Sequence, residues 1–281
     1  MKRVGWIESK MREFFESTKV GSPAVCLRAT HVMLFVILSL TLVLQAFAAS
    51  DIRHERLEIP TAGFSMPATL SFPAGAGPFP TVVILPGGNA AKIMGVAWPY
   101  HHLLAEELCK RGYATLVLDY SSQDRQLWDP RREADIGAAL NYVKSRSEVD
   151  TSQINLLGLS MGGSLSLLVA SARKDVAHLV VYFPAIKGAF EPKNSPLDAV
   201  KGIACPVLIL QGEQDEVTDQ SQAKTLHEAL TAAGKKSKLV LYKGAGHGFN
   251  YKDAPKAPCC RYDSTATAKS LEDVDEFLKQ K

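Results

Sequence analysis

The sequence predicts an α/β fold, a mostly parallel sheet of about eight strands with helices on both faces. Three observations predict it. Short, dense apolar runs such as Thr81 to Leu85, Ile154 to Leu157 and Pro206 to Gln211 read as strands buried on both faces. Stretches with apolar residues at helical spacing alternate with them, as in Ile136, Leu140 and Val143. Glycine-rich turns, at Pro86-Gly87-Gly88-Asn89, at 158–163 and at 244–248, stand where strands should end.

Taken in order, His54 to Pro60 and Met66 to Phe72 read as a strand pair around Thr61-Ala62-Gly63, an antiparallel start. Thr81 to Leu85 is the next strand. Tyr100 to Arg111 reads as a helix with Leu103, Leu104 and Leu108 on one face and Gly112 as its stop. Ala114 to Leu118 is a strand, Arg131 to Ser145 a helix, Ile154 to Leu157 a strand and Met161 to Arg173 a helix. His178 to Phe183, Pro206 to Gln211 and Lys238 to Tyr242 are three further strands, with helices at Asp219 to Ala233 and Ser270 to Lys279. Two segments, Ser121 to Pro130 and Ala185 to Gly202, are longer than ordinary connections and follow strands, on the edge where such sheets bind ligands. Trp98, Tyr100, Trp128 and Phe190 are candidates for apolar contacts there, or for the core.

At 281 residues with 46% apolar composition the chain can bury a sizeable core, and no long polar linker divides it after residue 51. The formal charge of +3 includes several basic residues near the start, so the body is close to neutral and no nucleic-acid partner is expected. Val32 to Leu44 is an almost unbroken apolar run behind Lys2, Arg3, Lys10, Arg12, Lys19 and Arg28, and it ends in Ala46-Phe47-Ala48-Ala49. Residues 1–48 therefore read as a signal peptide cut after Ala48, followed by a single domain over 51–281, and the protein is expected to be exported, periplasmic or secreted. The alternative is an uncleaved anchor over 29–49, which could span a bilayer core of about 30 Å and would be the protein's only tie to a membrane. An exported chain would carry Cys109, Cys205, Cys259 and Cys260 into an oxidising compartment. Their pairing stays open, with a vicinal Cys259–Cys260 bridge, another bridge or free thiols all compatible. Their spacing is not that of metal ligands, and no metal is expected.

The most informative stretch is Gly158-Leu159-Ser160-Met161-Gly162, between an apolar strand and a helix. Such a tight turn strains the serine backbone, and side chains two residues to either side would collide, so glycine is needed at both positions. Ser160 then stands exposed at the end of a strand, and the Met161 N–H opens the helix beside it as an oxyanion donor. A second donor is expected from the turn after the third strand, Gly88 first and Asn89 second. A serine hydroxyl needs a base, and the base needs an orienting carboxylate. Asp215 follows a buried strand in Gly212-Glu213-Gln214-Asp215, with Glu213, Glu216 and Asp219 as competing acids. His247 follows the next strand, framed by Gly246 and Gly248. The remaining histidines lack a glycine-framed loop and are expected to be structural.

Ser, then Asp, then His is the chain order of the alpha/beta-hydrolase fold. The elbow at 158–163, the Gly212 to Asp215 loop and Ala245-Gly246-His247-Gly248-Phe249 together resemble the dienelactone hydrolase family, over nearly the whole of 51–281. That resemblance implies a compact enzyme with little or no lid, acting on small esters or lactones without a cofactor. The dienelactone enzymes themselves carry a cysteine where this chain has Ser160, and a glutamate in the loop after the third strand. The expectation is thus a serine hydrolase of small esters or lactones working through Ser160, His247 and Asp215 and an acyl-enzyme. The alternatives are a peptidase or amidase of the same fold, or a non-catalytic binding protein that has kept it.

Overall fold

The computed structural model describes residues 52–88, 99–119, 131–187, 195–252 and 260–280. The leader, Asn89, Trp98, Trp128, Phe190 and Cys259 lie outside the described residues. Among the described residues there are eight strands: β1 (Arg53–Thr61), β2 (Phe64–Phe72), β3 (Phe79–Leu85), β4 (Ala114–Leu118), β5 (Val149–Leu159), β6 (His178–Tyr182), β7 (Val207–Gly212) and β8 (Ser237–Tyr242). They form one sheet in the order β1-β2-β4-β3-β5-β6-β7-β8. The β1–β2 and β2–β4 pairs are antiparallel, and every pair from β4 through β3 and β5 to β8 is parallel. The expected antiparallel start and parallel body are both present.

The helices are α1 (Pro99–Cys109), α2 (Arg132–Lys144), α3 (Met161–Ala172), the short α4 (Pro196–Ala199), α5 (Gln220–Ala232) and α6 (Ser264–Leu278). Two apolar cores result, one on each side of the sheet. Val83, Leu85 and Leu156 pack with Ile136, Leu140 and Val143 of α2, Leu165 and Leu167 of α3 and Leu226 and Leu230 of α5. Val82, Ile84 and Leu157 pack with Leu104 and Leu108 of α1 and with Leu271, Val274 and Phe277 of α6. A strand buried on both faces has no place for polar alternation, which is why Val82, Val83, Ile84 and Leu85 are all apolar and all at 0% exposure. Each such side chain contributes up to about 1.5–3 kcal/mol by leaving water.

Three details differ from expectation. β5 starts at Val149, not Ile154, because Asp150 to Ser152 extend the strand with polar, largely exposed residues. Helix α6 starts at Ser264, not Ser270; Asp263 caps it, accepting the Ala266 N–H at 2.9 Å. Among its described residues the long connection after β6 carries the short helix α4 and a 3-10 turn, Val200–Gly202, neither of which was expected.

Candidate active site

β5 delivers Ser160 and α3 carries the chain away. Ser160 sits at φ 52°, ψ −116°, a conformation that costs a non-glycine residue about 1–3 kcal/mol. The surroundings hold it there. Its N–H donates to the Tyr182 carbonyl at 2.9 Å, and its carbonyl accepts from Gly163 at 3.0 Å and Ala185 at 3.2 Å. The Ser164 hydroxyl donates to the Ala185 carbonyl, tying the helix to the same segment. The glycines have the steric role expected of them. A Cβ on Gly158 would lie 2.6 Å from Gly163 Cα, and one on Gly162 would collide with the Leu85 and Pro86 carbonyl oxygens. Ser160 is buried at 8% exposure where the sequence predicts an exposed serine, because the turn after β3 and the segment after β6 close in on it, and Met161 is the first residue of α3, where an N–H has no intrahelical acceptor.

Asp215 follows β7 and His247 follows β8. Because these strands are parallel neighbours, both loops leave the sheet at the edge where β5 ends. Backbone bonds lock the loops together: the Glu213 N–H donates to the Tyr242 carbonyl at 3.0 Å and the Gln214 N–H to the Ala245 carbonyl at 2.9 Å. His247 Nδ1 lies 2.9 Å from Asp215 Oδ2. The competing acids are elsewhere, since Glu213 and Glu216 are exposed and Asp219 caps α5 through the Ser221 N–H at 2.8 Å.

Asp215 is buried among donors. Its Oδ1 accepts the N–H groups of Val217 at 2.8 Å and Thr218 at 2.7 Å. Its Oδ2 also accepts from Gln211 Nε2 at 3.0 Å and the Thr218 hydroxyl at 2.9 Å. Burial pushes the carboxyl up, but the His247 contact and the Thr218 donors outweigh it and hold Asp215 below the ordinary carboxylate value. The acid therefore stays ionised at neutral pH. The His247 ring packs against Phe183, centroids 4.6 Å apart, and the His247 carbonyl accepts the Arg261 N–H at 3.2 Å. Among the described residues no hydrogen bond joins Ser160 Oγ to His247; such contacts commonly tighten only with substrate in place.

Gly88 stands in the turn after β3 at φ +58°. That turn passes beside the serine, since a Cβ on Gly87 would lie 2.7 Å from Ser160 Cβ. Tyr100 is buried, its ring stacked 4.1 Å from that of Tyr251. Three of the other histidines make structural hydrogen bonds, His54 to Ser71 at 2.8 Å, His178 to Asn155 at 2.9 Å and His227 to Ser237 at 2.9 Å, and the buried His101 packs its ring on Tyr100 and Tyr251. The sequence reading missed Gln211, Phe183 and Thr218, all of which touch the Asp215–His247 pair. Only Thr218 had a signal, an Asp followed three residues on by a hydroxyl residue in a turn, a common local hydrogen-bonding pattern.

A mostly parallel sheet with a strained serine after β5 and an Asp–His pair after β7 and β8 defines an alpha/beta-hydrolase. More narrowly, residues 66–281 match the dienelactone hydrolase family, and the chain belongs to that family. It is a hydrolase of carboxylic esters or lactones with a serine nucleophile. A carboxymethylenebutenolidase of Rhodococcus opacus is 29% identical over 182 residues, 60% of this chain and 69% of that one. Among solved structures, Thermogutta terrifontis esterase 2 superimposes with a TM-score of 0.65 at 22% identity, covering 80% of this chain and 93% of the other. An esterase of Pyrobaculum calidifontis does so with a TM-score of 0.65 at 19% identity, covering 86% and 88%. Both share the fold.

Proposed function

We propose that Ser160 attacks the carbonyl carbon of a small ester or lactone while His247 takes the Oγ proton. His247 then returns that proton to the departing alkoxide, leaving an acyl-Ser160 that water cleaves by the same route in reverse. Asp215, ionised and buried, holds the His247 ring and stabilises its imidazolium. The N–H groups of Met161 and Gly88 receive the oxyanion. The observation that carries this reading is the 2.9 Å contact between His247 and Asp215, on loops beside a serine held at φ 52°. Ser160→Ala is expected to remove turnover by several orders of magnitude with an unchanged thermal midpoint; a Ser160→Ala protein that still turned over would sink the assignment.

The Rhodococcus opacus relative takes its name from a butenolide lactone, and an esterase of this fold from Thermogutta terrifontis is phosphorylated by paraoxon. Lactones and short esters are accordingly the substrate classes to screen, with aminoacyl amides as the outcome that would point to a peptidase, and paraoxon as a probe for Ser160. Export behind a leader cut after Ala48 goes with this reading. Among the described residues no helix is long and apolar enough to cross a membrane. The intact mass of the exported protein tests cleavage, and a mass that includes Met1 to Ala48 would contradict it.

A further inference from the structure

Thr218 is 3% exposed, and its hydroxyl reaches three groups of the site: Asp215 Oδ2 at 2.9 Å, the Phe183 carbonyl at 3.1 Å and His247 Nδ1 at 3.2 Å. A hydroxyl has one proton and two lone pairs. Asp215 Oδ2 and the Phe183 carbonyl can only accept, so the Thr218 proton is drawn to one of them and a lone pair is left facing His247 Nδ1. Nδ1 then has two acceptors before it, the Asp215 carboxylate and the Thr218 oxygen. Both demand that Nδ1 carry the proton, which leaves Nε2 with the lone pair that a base needs.

The two anchors of the hydroxyl are themselves fixed. Phe183 sits at φ 36°, its N–H donates to the Leu210 carbonyl at 2.7 Å, and its ring packs on His247. The Thr218 backbone N–H donates to Asp215 Oδ1, so one residue grips both oxygens of the carboxylate. We propose that Thr218 is a positioning residue of this enzyme, whose hydroxyl bridges Asp215, His247 and the strained Phe183 carbonyl and so selects the histidine tautomer and ring angle that leave Nε2 free for Ser160. The proposal rests on the assignment of Ser160, His247 and Asp215 given above.

The test uses the full chain with a p-nitrophenyl ester of a short acid and with a fluorophosphonate that labels the active serine. Thr218→Val keeps the shape and removes the hydroxyl. It is expected to lower kcat and the labelling rate roughly 10- to 100-fold, as small misplacements of catalytic groups do, with KM within about twofold. Thr218→Ser is expected to recover most of that loss. In an Asp215→Ala background the same Thr218→Val change is expected to slow labelling less than about twofold further, because two residues acting through one contact are not additive. Should the valine protein fail to fold, Thr218→Ala against Thr218→Ser reads the same difference. A valine or alanine variant as active as wild type would overturn the proposal, as would an equal loss in the Asp215→Ala background. Wild-type protein that the fluorophosphonate did not label at Ser160 would overturn the triad assignment instead.

Discussion

Ser160 keeps its unfavourable φ because backbone, not side chain, fills the space around it. The consequence is a sharp difference between glycines that look alike in sequence. A Cβ on Gly162 would run into the carbonyl oxygens of Leu85 and Pro86, which belong to β3 and its turn and cannot step aside without moving the sheet. Gly234, at φ +71°, has no atom beyond its own chain neighbours within 4 Å of where its Cβ would be. Gly162→Ala is therefore expected to cost about 3 kcal/mol or more, or to abolish folding. Gly234→Ala should cost only the left-handed backbone penalty, about 1–2 kcal/mol. Urea midpoints of the two proteins check this, and equal losses would refute the claim that the elbow glycines are sterically obligatory. These glycines were legible in the sequence because the turn imposes them. For Thr218 only the local contact with Asp215 has a sequence signal, because its other two partners, Phe183 and His247, are 35 and 29 positions away.

At the scale of elements, legibility followed apolar content. β3, β4 and β7 are buried along nearly their whole length, and their apolar runs bounded them to within about two residues. The apolar run marks less than half of β5, because residues 150–153 are polar and the strand pairs with β3 there only through Phe79 and Val149 before the register shifts. The apolar stripe marks only the later part of α6, because Ser264-Thr-Ala-Thr-Ala precedes it and a cap is a single residue without periodicity. The residue just before β5 has its own role. Glu148 accepts from Arg146 and from Arg53 of β1, each at 3.1 Å, and these bonds draw its carboxyl down to about 2. A carboxylate depressed on folding stabilises the protein above its unfolded value and loses that contribution as pH falls through the folded one. Wild type should thus be slightly more stable than Glu148→Gln in urea at pH 6, by less than about 1 kcal/mol for a partly exposed pair, and the gap should close near pH 2. A gap that widened on acidification would contradict this.

At the scale of the whole molecule, the sequence left the cysteines open, because pairing depends on which loops the fold brings together. Cys109 and Cys205 are free and buried, one in α1 and one just before β7. Burial pushes the Cys109 thiol up and lifts Cys205 to about 11, so at neutral pH neither holds much of the reactive thiolate. Cys260 is disulfide-bonded. It stands where the chain returns past the histidine loop: a Cβ on Gly248 would lie 3.0 Å from Cys260 Cβ, and the next residue, Arg261, donates its N–H to the His247 carbonyl. A disulfide there fits the proposed export, since such bonds persist in oxidising compartments. Protein taken from the exported fraction should show Cys109 and Cys205 resisting a maleimide while folded and reacting once unfolded in urea. Cys260 should react only after reductant is added. Peptide masses read all three sites at once. If Cys260 were alkylated without reductant, the exported chain would lack its bridge, and the argument from the disulfide to an oxidising compartment would fail while the one from the leader stood.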